Sequence, residues 1–380
     1  MEPKIRFKGF EGEWEKVKLG NVCSVNRGTR ITKKELNTNH SYPVYQNTNY
    51  PLGYYKNYNV EANNPYVIIG GSAGLIGFSN VPFWAADDCA YFGDNDSLDK
   101  TFLYSTLLFH IAEIKRNVRG SSVPRLDRST LIDLEINLPS FSEQQFIATY
   151  FRTLDNKIQS TSKKLASLKK LKSASLVTMF PQNGESMPKV RFKGFEGEWD
   201  KQSASDLFLT IDERNRLELP VLSACQDVRG MIPRDKIGFN VSHDTSNEVT
   251  YKRVQPGQFV IHLRSFQGGF AHSSYDGIIS PAYTVFDFKN KEQHDDYYWK
   301  IVFMSRSFIE RLRLITYGIR DGRSISFNEF KELSFLFPSK EEQQSIATFF
   351  RSLDRKIALE TARLEKLKQI KLACLDKMFV

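Results

Sequence analysis

The chain has 380 residues, with 53 Lys+Arg against 44 Asp+Glu, a net charge of +9 and 41% hydrophobic residues. That length suggests two or three domains, and the composition excludes wholesale disorder. The longest charge-free apolar-rich run, Thr101 to Ala112, is far short of the roughly 20 residues a bilayer needs, which excludes a membrane span, and no membrane partner is expected. The opening residues lack the apolar core of a signal peptide, so the expected location is cytoplasmic. Cys23, Cys89, Cys225 and Cys374 lie far apart without a Cys-x-x-Cys pair, which argues against a disulfide framework and a zinc ribbon.

The first element, residues 3–16, reads PKIRFKGFEGEWEK and returns at 188–201 as PKVRFKGFEGEWDK, identical at 12 of 14 positions. A stretch rich in Tyr and amides follows, in which Tyr45 stands beside Gln46, Asn47 and Asn49. Amide side chains suit adenine edges, although such stretches are also ordinary surface loops. Asn63-Asn64-Pro65-Tyr66 resembles the Asn/Asp-Pro-Pro-aromatic motif of DNA amino-methyltransferases, but the second proline is missing. Tyr66 to Ile69 predicts a strand running into Gly70-Gly71-Ser72-Ala73-Gly74, whose spacing is wrong for a dinucleotide loop and fits a glycine-rich hairpin with Ser72 near its tip.

Ser97 to Lys115 reads as a helix, and an arginine cluster comes next: Arg116, Arg119, Arg125 and Arg128 around Gly120-Ser121-Ser122. A guanidinium fork can bind guanine bidentately or clamp phosphate; the bland alternative is a set of surface ion pairs. Asp133 and Glu135 lack the lysine of a nuclease site, since Asn137 stands there. In the second half, Arg264 and Gln267 share a tight loop, Asp296 to Leu314 reads as a helix, and Arg320, Arg323 and Ser324 correspond in place to the first arginine cluster. The predicted strands of this half are Gln258 to Leu263 and Tyr283 to Phe288. The six histidines show neither metal-ligand spacing nor a nucleophile partner, so neither a catalytic nor a metal site is assigned.

Each half closes on a long helix, and residues 141–180 match 340–379 at 20 of 40 positions without a gap. Pro139-Ser140 with Glu143, and Pro338-Ser339 with Glu342, predict capping boxes in which the glutamate reaches back to the first backbone N–H groups. Ile147, Phe151, Leu154, Ile158, Leu165 and Leu168 form a three-and-four seam, matched by Ile346, Phe350, Leu353, Ile357, Leu364 and Leu367, with polar Thr161 and Glu360 at one layer. Two readings are available: each helix lies on its own module, or the two pair as an antiparallel rod, which the matching seams favour. The chain thus divides into residues 1–141, a long helix over 142–180, a linker over 181–187, a second module over 188–340 and a helix over 341–380. The two openings are offset by 185 residues and the two closing segments by 199, so the second middle is 14 residues longer.

Two divergent modules in one duplicated frame, each opening on Phe-Lys-Gly-Phe and closing on Pro…Glu-Gln-Gln-x-Ile-Ala, resemble the specificity subunit of type I restriction–modification systems, over essentially the whole chain. The expected fold class is α+β: two globular target-recognition domains joined by a pair of long antiparallel coiled-coil helices, with a pseudo-two-fold internal repeat. The resemblance implies a non-catalytic subunit that reads an asymmetric, bipartite double-stranded DNA target, one half-site per module. It implies two modification (methyltransferase) subunits and restriction (translocase/nuclease) subunits as partners. S-adenosylmethionine, ATP and Mg would belong to those partners and not to this chain. No base-contact residue transfers by motif, so Tyr45, Gln46, Asn47, Asn49, Ser72, Arg119, Ser121, Ser122, Arg125, Arg128, Arg264, Gln267, Arg320, Arg323 and Ser324 are DNA-binding candidates on local chemistry alone. An autonomous DNA-modifying enzyme and a coiled-coil scaffold without a DNA role remain the alternatives. Seven of the nine excess positive charges fall on the two long-helix segments, so net charge does not mark the modules as DNA binders.

Overall fold

Each repeated opening leads into a strand whose partner is the strand just before the long helix. In the computed structural model, which describes residues 2–182, 184–225, 230–236, 245–262, 269–315 and 325–380, Glu15–Lys18 pairs antiparallel with Glu135–Leu138, and Asp200–Ser203 with Ser334–Phe337. Each two-stranded stem closes the neck of a module and leaves the divergent middle free to differ. Between its stem strands the first module carries a four-stranded sheet in the order Val25–Arg27, Cys89–Phe92, Asn64–Ile68, Ile76–Ser79, and a three-stranded one in the order Gly53–Tyr55, Tyr42–Tyr45, Trp84–Ala85. The second carries a six-stranded sheet and the pair Lys252–Val254 with Gly277–Ile279. Helices and sheets share each module, as an α+β class requires.

The predicted strands appear shifted by a residue or two, as Asn64–Ile68, Phe259–Ile261 and Thr284–Phe288. Each predicted single helix is instead two. The first breaks between Lys100–Phe109 and Ile111–Arg116 at His110, and the second between Asp296–Met304 and Arg306–Ile315 at Ser305. Ser305 is extended, and its hydroxyl accepts from the Phe308 N–H at 3.2 Å, so it starts a new helix where the apolar pattern alone ran on. At the N-terminal ends, Asp99 accepts from Thr101 and Phe102 N–H (2.8 Å each) and Asp295 from Tyr298 N–H (2.9 Å).

The long helices run Phe141–Thr178 and Lys340–Met378. The chain forms two units, Met1–Lys164 with Glu360–Val380, and Leu165–Leu359, so both helices are divided between the units. In the first unit Lys371 Nζ meets Asp155 Oδ1 at 2.6 Å, and Tyr150 Oη lies 3.2 Å from Cys374 Sγ. In the second, Lys172 meets Asp354 at 2.5 Å, and the Phe180 ring lies 6.1 Å from that of Phe350. In each unit, residues rising along one helix pair with residues falling along the other: the segments are antiparallel. All twelve seam residues are buried or half-buried. Those nearest the helix starts also enter the module cores, Ile147 and Phe151 in one and Ile346, Phe350 and Leu353 in the other, so both sequence readings of the helices hold in part.

The helix ends complete these cores. Phe379 stacks on Phe102 and Phe109 at 5.6 and 5.7 Å and meets Trp14 edge-on, while Ile5 N–H donates to Lys377 O at 2.9 Å. Phe180 stacks on Tyr298 at 5.7 Å and meets Trp199 edge-on, with Val190 N–H donating to Thr178 O at 2.9 Å.

In neither predicted capping box does the glutamate reach back to the backbone. Ser140 Oγ accepts from Glu143 N–H at 3.4 Å, but the Glu143 carboxylate turns to Arg6 instead of the backbone. Glu342 likewise turns to Arg191. A guanidinium offers the carboxylate two parallel bonds and an opposite full charge where a free N–H offers one bond, so the arginine wins.

Candidate nucleic-acid interface

In the first module three segments distant in sequence are tied together by backbone hydrogen bonds. The Gly70–Gly74 turn joins two antiparallel strands, with Gly74 N–H donating to Ile68 O at 2.8 Å. Gly71 has φ +81°, and a Cβ there would come within 2.8 Å of the Asn47 Cβ, so glycine lets the two loops touch. Ser72 N–H donates to Asn47 O at 3.0 Å on one side of this turn, and Gly71 N–H to Pro124 O at 3.0 Å on the other. The arginine-rich segment is a hairpin, closed by Arg119 N–H to Arg125 O and Arg125 N–H to Arg119 O, both 2.8 Å. Its tip, Gly120 to Val123, is exposed.

Asn47, Asn49, Ser72, Arg119, Ser121, Ser122, Arg125 and Arg128 are therefore all exposed, and all but Arg128 are carried on the three tied segments. Arg128 opens the helix Arg128–Ile132, capped by Asp127, which accepts from Ser129 N–H at 2.9 Å. The Ser129 hydrogen bonds hold the Asp127 carboxyl below its ordinary range, aided by Arg119 and Arg128.

Two of the candidates are half-buried and make contacts within the module. Tyr45 is half-buried and stacked on Tyr66 at 4.4 Å, and burial raises its phenol pKa. Phe83 also meets the ring edge-on at 5.4 Å. Gln46 is half-buried, with Nε2 3.5 Å from Asp87 Oδ1. Tyr66, from the methyltransferase-like stretch, is buried and donates to Asn49 O at 3.3 Å, which supports the loop from below. Asp133 and Glu135 form ion pairs with Lys18 and Lys16 along the stem.

A groove of about 740 Å³ lies beside the hairpin, lined in part by Glu113, Asn117, Arg119, Arg125, Asp127 and Ser129. Sequence reading missed Asn117, which stands inside the arginine cluster, and Ser129, which directly follows it. It also missed Asp88, whose Oδ1 lies 3.4 Å from Arg125 Nη1, and no local pattern points to that residue. Arg264, Gln267, Arg320, Arg323 and Ser324 lie outside the described residues. Of the described arginines of the second module, Arg253 holds Asp276 at 2.7 Å and Glu213 at 3.0 Å, Arg214 holds Asp212 at 2.6 Å, and Arg234 donates to Ser223 Oγ at 3.0 Å.

The profile of the type I restriction modification DNA specificity domain matches this chain twice, over residues 11–170 and 202–369. The chain belongs to the type I restriction–modification specificity family. The two matches coincide with the two halves of the internal repeat. The chain is 21% identical over 391 residues to the type I restriction enzyme MjaVIII specificity subunit of Methanocaldococcus jannaschii, covering 94% of this chain and 90% of that protein. It is 33% identical over 121 residues to the EcoDI specificity subunit of Escherichia coli, covering 31% of this chain and 24% of that protein. The crystal structure of the type I restriction–modification S subunit from M. genitalium shares the fold, with a TM-score of 0.73 at 17% identity over 100% of this chain and 99% of that one. No helix among the described residues is long and apolar enough to cross a membrane.

Proposed function

We propose that this specificity-family chain is a non-catalytic reader of a bipartite, asymmetric DNA sequence. One half-site is read by each module, and the chain positions partner subunits that carry out the chemistry. The observation that carries this reading is the duplicated frame: matching stems, arginine–glutamate pairs and long helices hold two middles that share no comparable sequence. A frame kept while its contents differ suits two readers of unlike half-sites. In the first module the exposed Asn, Ser and Arg side chains supply donors and acceptors of the kind that read base edges.

The long helices, 38 and 39 residues, would each extend about 57 Å at the usual rise per residue. We assign them the spacing of the half-sites and, with parts of the modules, the docking of two modification subunits. S-adenosylmethionine would be held by those subunits, and ATP and Mg by restriction subunits. A target base would be flipped into a partner's pocket, with this chain setting which base is reached.

The deciding experiment exchanges residues 17–140 for the corresponding segment of another family member and maps methylated sites in the host. One half of the methylated sequence should change while the other half and the spacing persist. Changes in both halves, or an unchanged methylation map, would remove the reading. Inserting one heptad equivalently into both long helices should lengthen the spacer and leave both half-sites intact.

A further inference from the structure

The hairpin of the first module breaks a rule of strand pairing. Arg119 and Arg125 exchange both backbone hydrogen bonds, so they face each other directly and their side chains leave on the same side. Both line the same groove. Like charges directly opposite one another destabilise a strand pair. Asp88 compensates one of them, lying 3.4 Å from Arg125, and it can do so because Gly70 is beside it: a Cβ at Gly70 would come within 2.3 Å of Asp88 Oδ1. The Arg119 guanidinium is exposed and, among the described residues, forms no side-chain hydrogen bond or ion pair. Its backbone is nevertheless held at both N–H and C=O, and Gly120, with φ +90°, permits the tight tip where a Cβ would approach Val123 O to 2.9 Å.

The groove also holds the carboxylates of Glu113, Asp127 and Asp133. Asp133 is answered by Lys18 and Arg125 by Asp88, which leaves Arg119 facing Glu113 and Asp127, so the groove has no surplus of positive charge to draw in a phosphate strand. Neutral base edges, which present donors and acceptors together, suit such a lining.

We propose that Arg119 is a specificity-determining residue that reads a base edge in the half-site of the first module, with Arg125 a positioning residue that fixes the hairpin through Asp88. The inference rests on the DNA-reading function proposed above. A destabilising like-charge pair kept on a rigid hairpin has its reason in a ligand, since local rules fail where function overrides them.

The test selects preferred sequences from a library of random duplex DNA with the full-length chain and its variants, alongside their thermal melting. Arg119→Gln should lose preference at one base pair of one half-site by about tenfold or more, the worth of a bidentate contact. It should keep the other half-site and melt no lower than the wild type, because a like-charge contact is gone. Arg119→Lys should not restore the preference, as a point charge lacks the fork. Arg125→Gln removes the same like-charge contact but also the Asp88 pair, so it should melt lower than Arg119→Gln. An unchanged selected sequence for Arg119→Gln would overturn the assignment. So would an even loss over all sequences, which marks a phosphate contact, or a drop in melting as large as that of Arg125→Gln. Failure of the wild-type chain to enrich any sequence would instead overturn the DNA-reading function itself.

Discussion

The Arg6 guanidinium holds the Glu143 carboxylate in a two-point clamp, Nε to Oε1 and Nη2 to Oε2, each at 2.8 Å across 137 positions of sequence. Arg6 also donates to Gly12 O and Glu11 O, which folds the Phe-Lys-Gly-Phe segment around it. Arg191 and Glu342 repeat the clamp at 2.9 and 2.6 Å. Both glutamates are only 1–2% exposed, so an unanswered charge there is costly. Arg6→Ala should lower stability by about 2–4 kcal/mol, somewhat under the cost of breaking a fully buried pair because Arg6 itself is partly exposed. Urea unfolding checks this, and the double variant Arg6→Ala with Glu143→Gln should recover part of the loss. An unchanged midpoint for the single variant would refute the role.

The next residue anchors the helix start from inside. The Gln144 amide accepts from Asp99 N–H and donates to Ser97 O and Pro139 O, all at 3.0 Å, and Gln343 does the same for Asp295, Gln293 and Pro338. Only an amide can both donate and accept here. Gln144→Glu keeps the acceptor, loses two donors and buries a charge, so it should cost about 3 kcal/mol or more and exceed the cost of Gln144→Ala. Denaturant midpoints of the two variants give the order, and the reverse order would refute the argument.

The polar layer of the seam is a local weakness. Glu360 is 9% exposed and pairs with Lys164 through Oε1, while its Oε2 has no hydrogen-bond partner among the described residues; Thr161 is also buried. Replacing both with leucine should raise stability by about 1–2 kcal/mol, since apolar packing often outperforms an incompletely satisfied buried charge. Chemical unfolding measures it, and a fall would show the ion pair to be a net stabiliser.

His294 makes the second module sensitive to acid. It stacks on Phe288 at 4.8 Å, and burial, with a smaller contribution from Lys340, lowers its pKa to about 4. The unfolded chain takes up this proton near the ordinary imidazole value and the folded one does not. Stability is therefore full above about pH 6.5, falls as pH drops towards 4 and then levels, a loss of up to about 3 kcal/mol. Melting curves against pH should show this slope, and His294→Phe should remove it.

The sequence by itself determined the frame. Identity between 3–16 and 188–201, the matched seams and the proline before each helix are local patterns, and they specify duplication, two long helices and α+β modules without reference to distant contacts. Boundaries were less legible, because the apolar pattern runs through His110 and Ser305 where side-chain and backbone hydrogen bonding starts a new helix. Partners across long separations were decided only by the tertiary structure. Glu143 reads as a capping residue until Arg6 arrives from 137 positions away with a stronger pair of donors. Tyr45, Gln46, Asn47, Ser72, Arg119 and Arg125 read as equal candidates until packing divides them. Tyr66 packs on the first, Asp87 lies beside the second, Asp88 takes Arg125, and the Arg119 guanidinium has no side-chain hydrogen bond or ion pair among the described residues. Residue type states which bonds a side chain can make, and the folded chain decides which of them are already made.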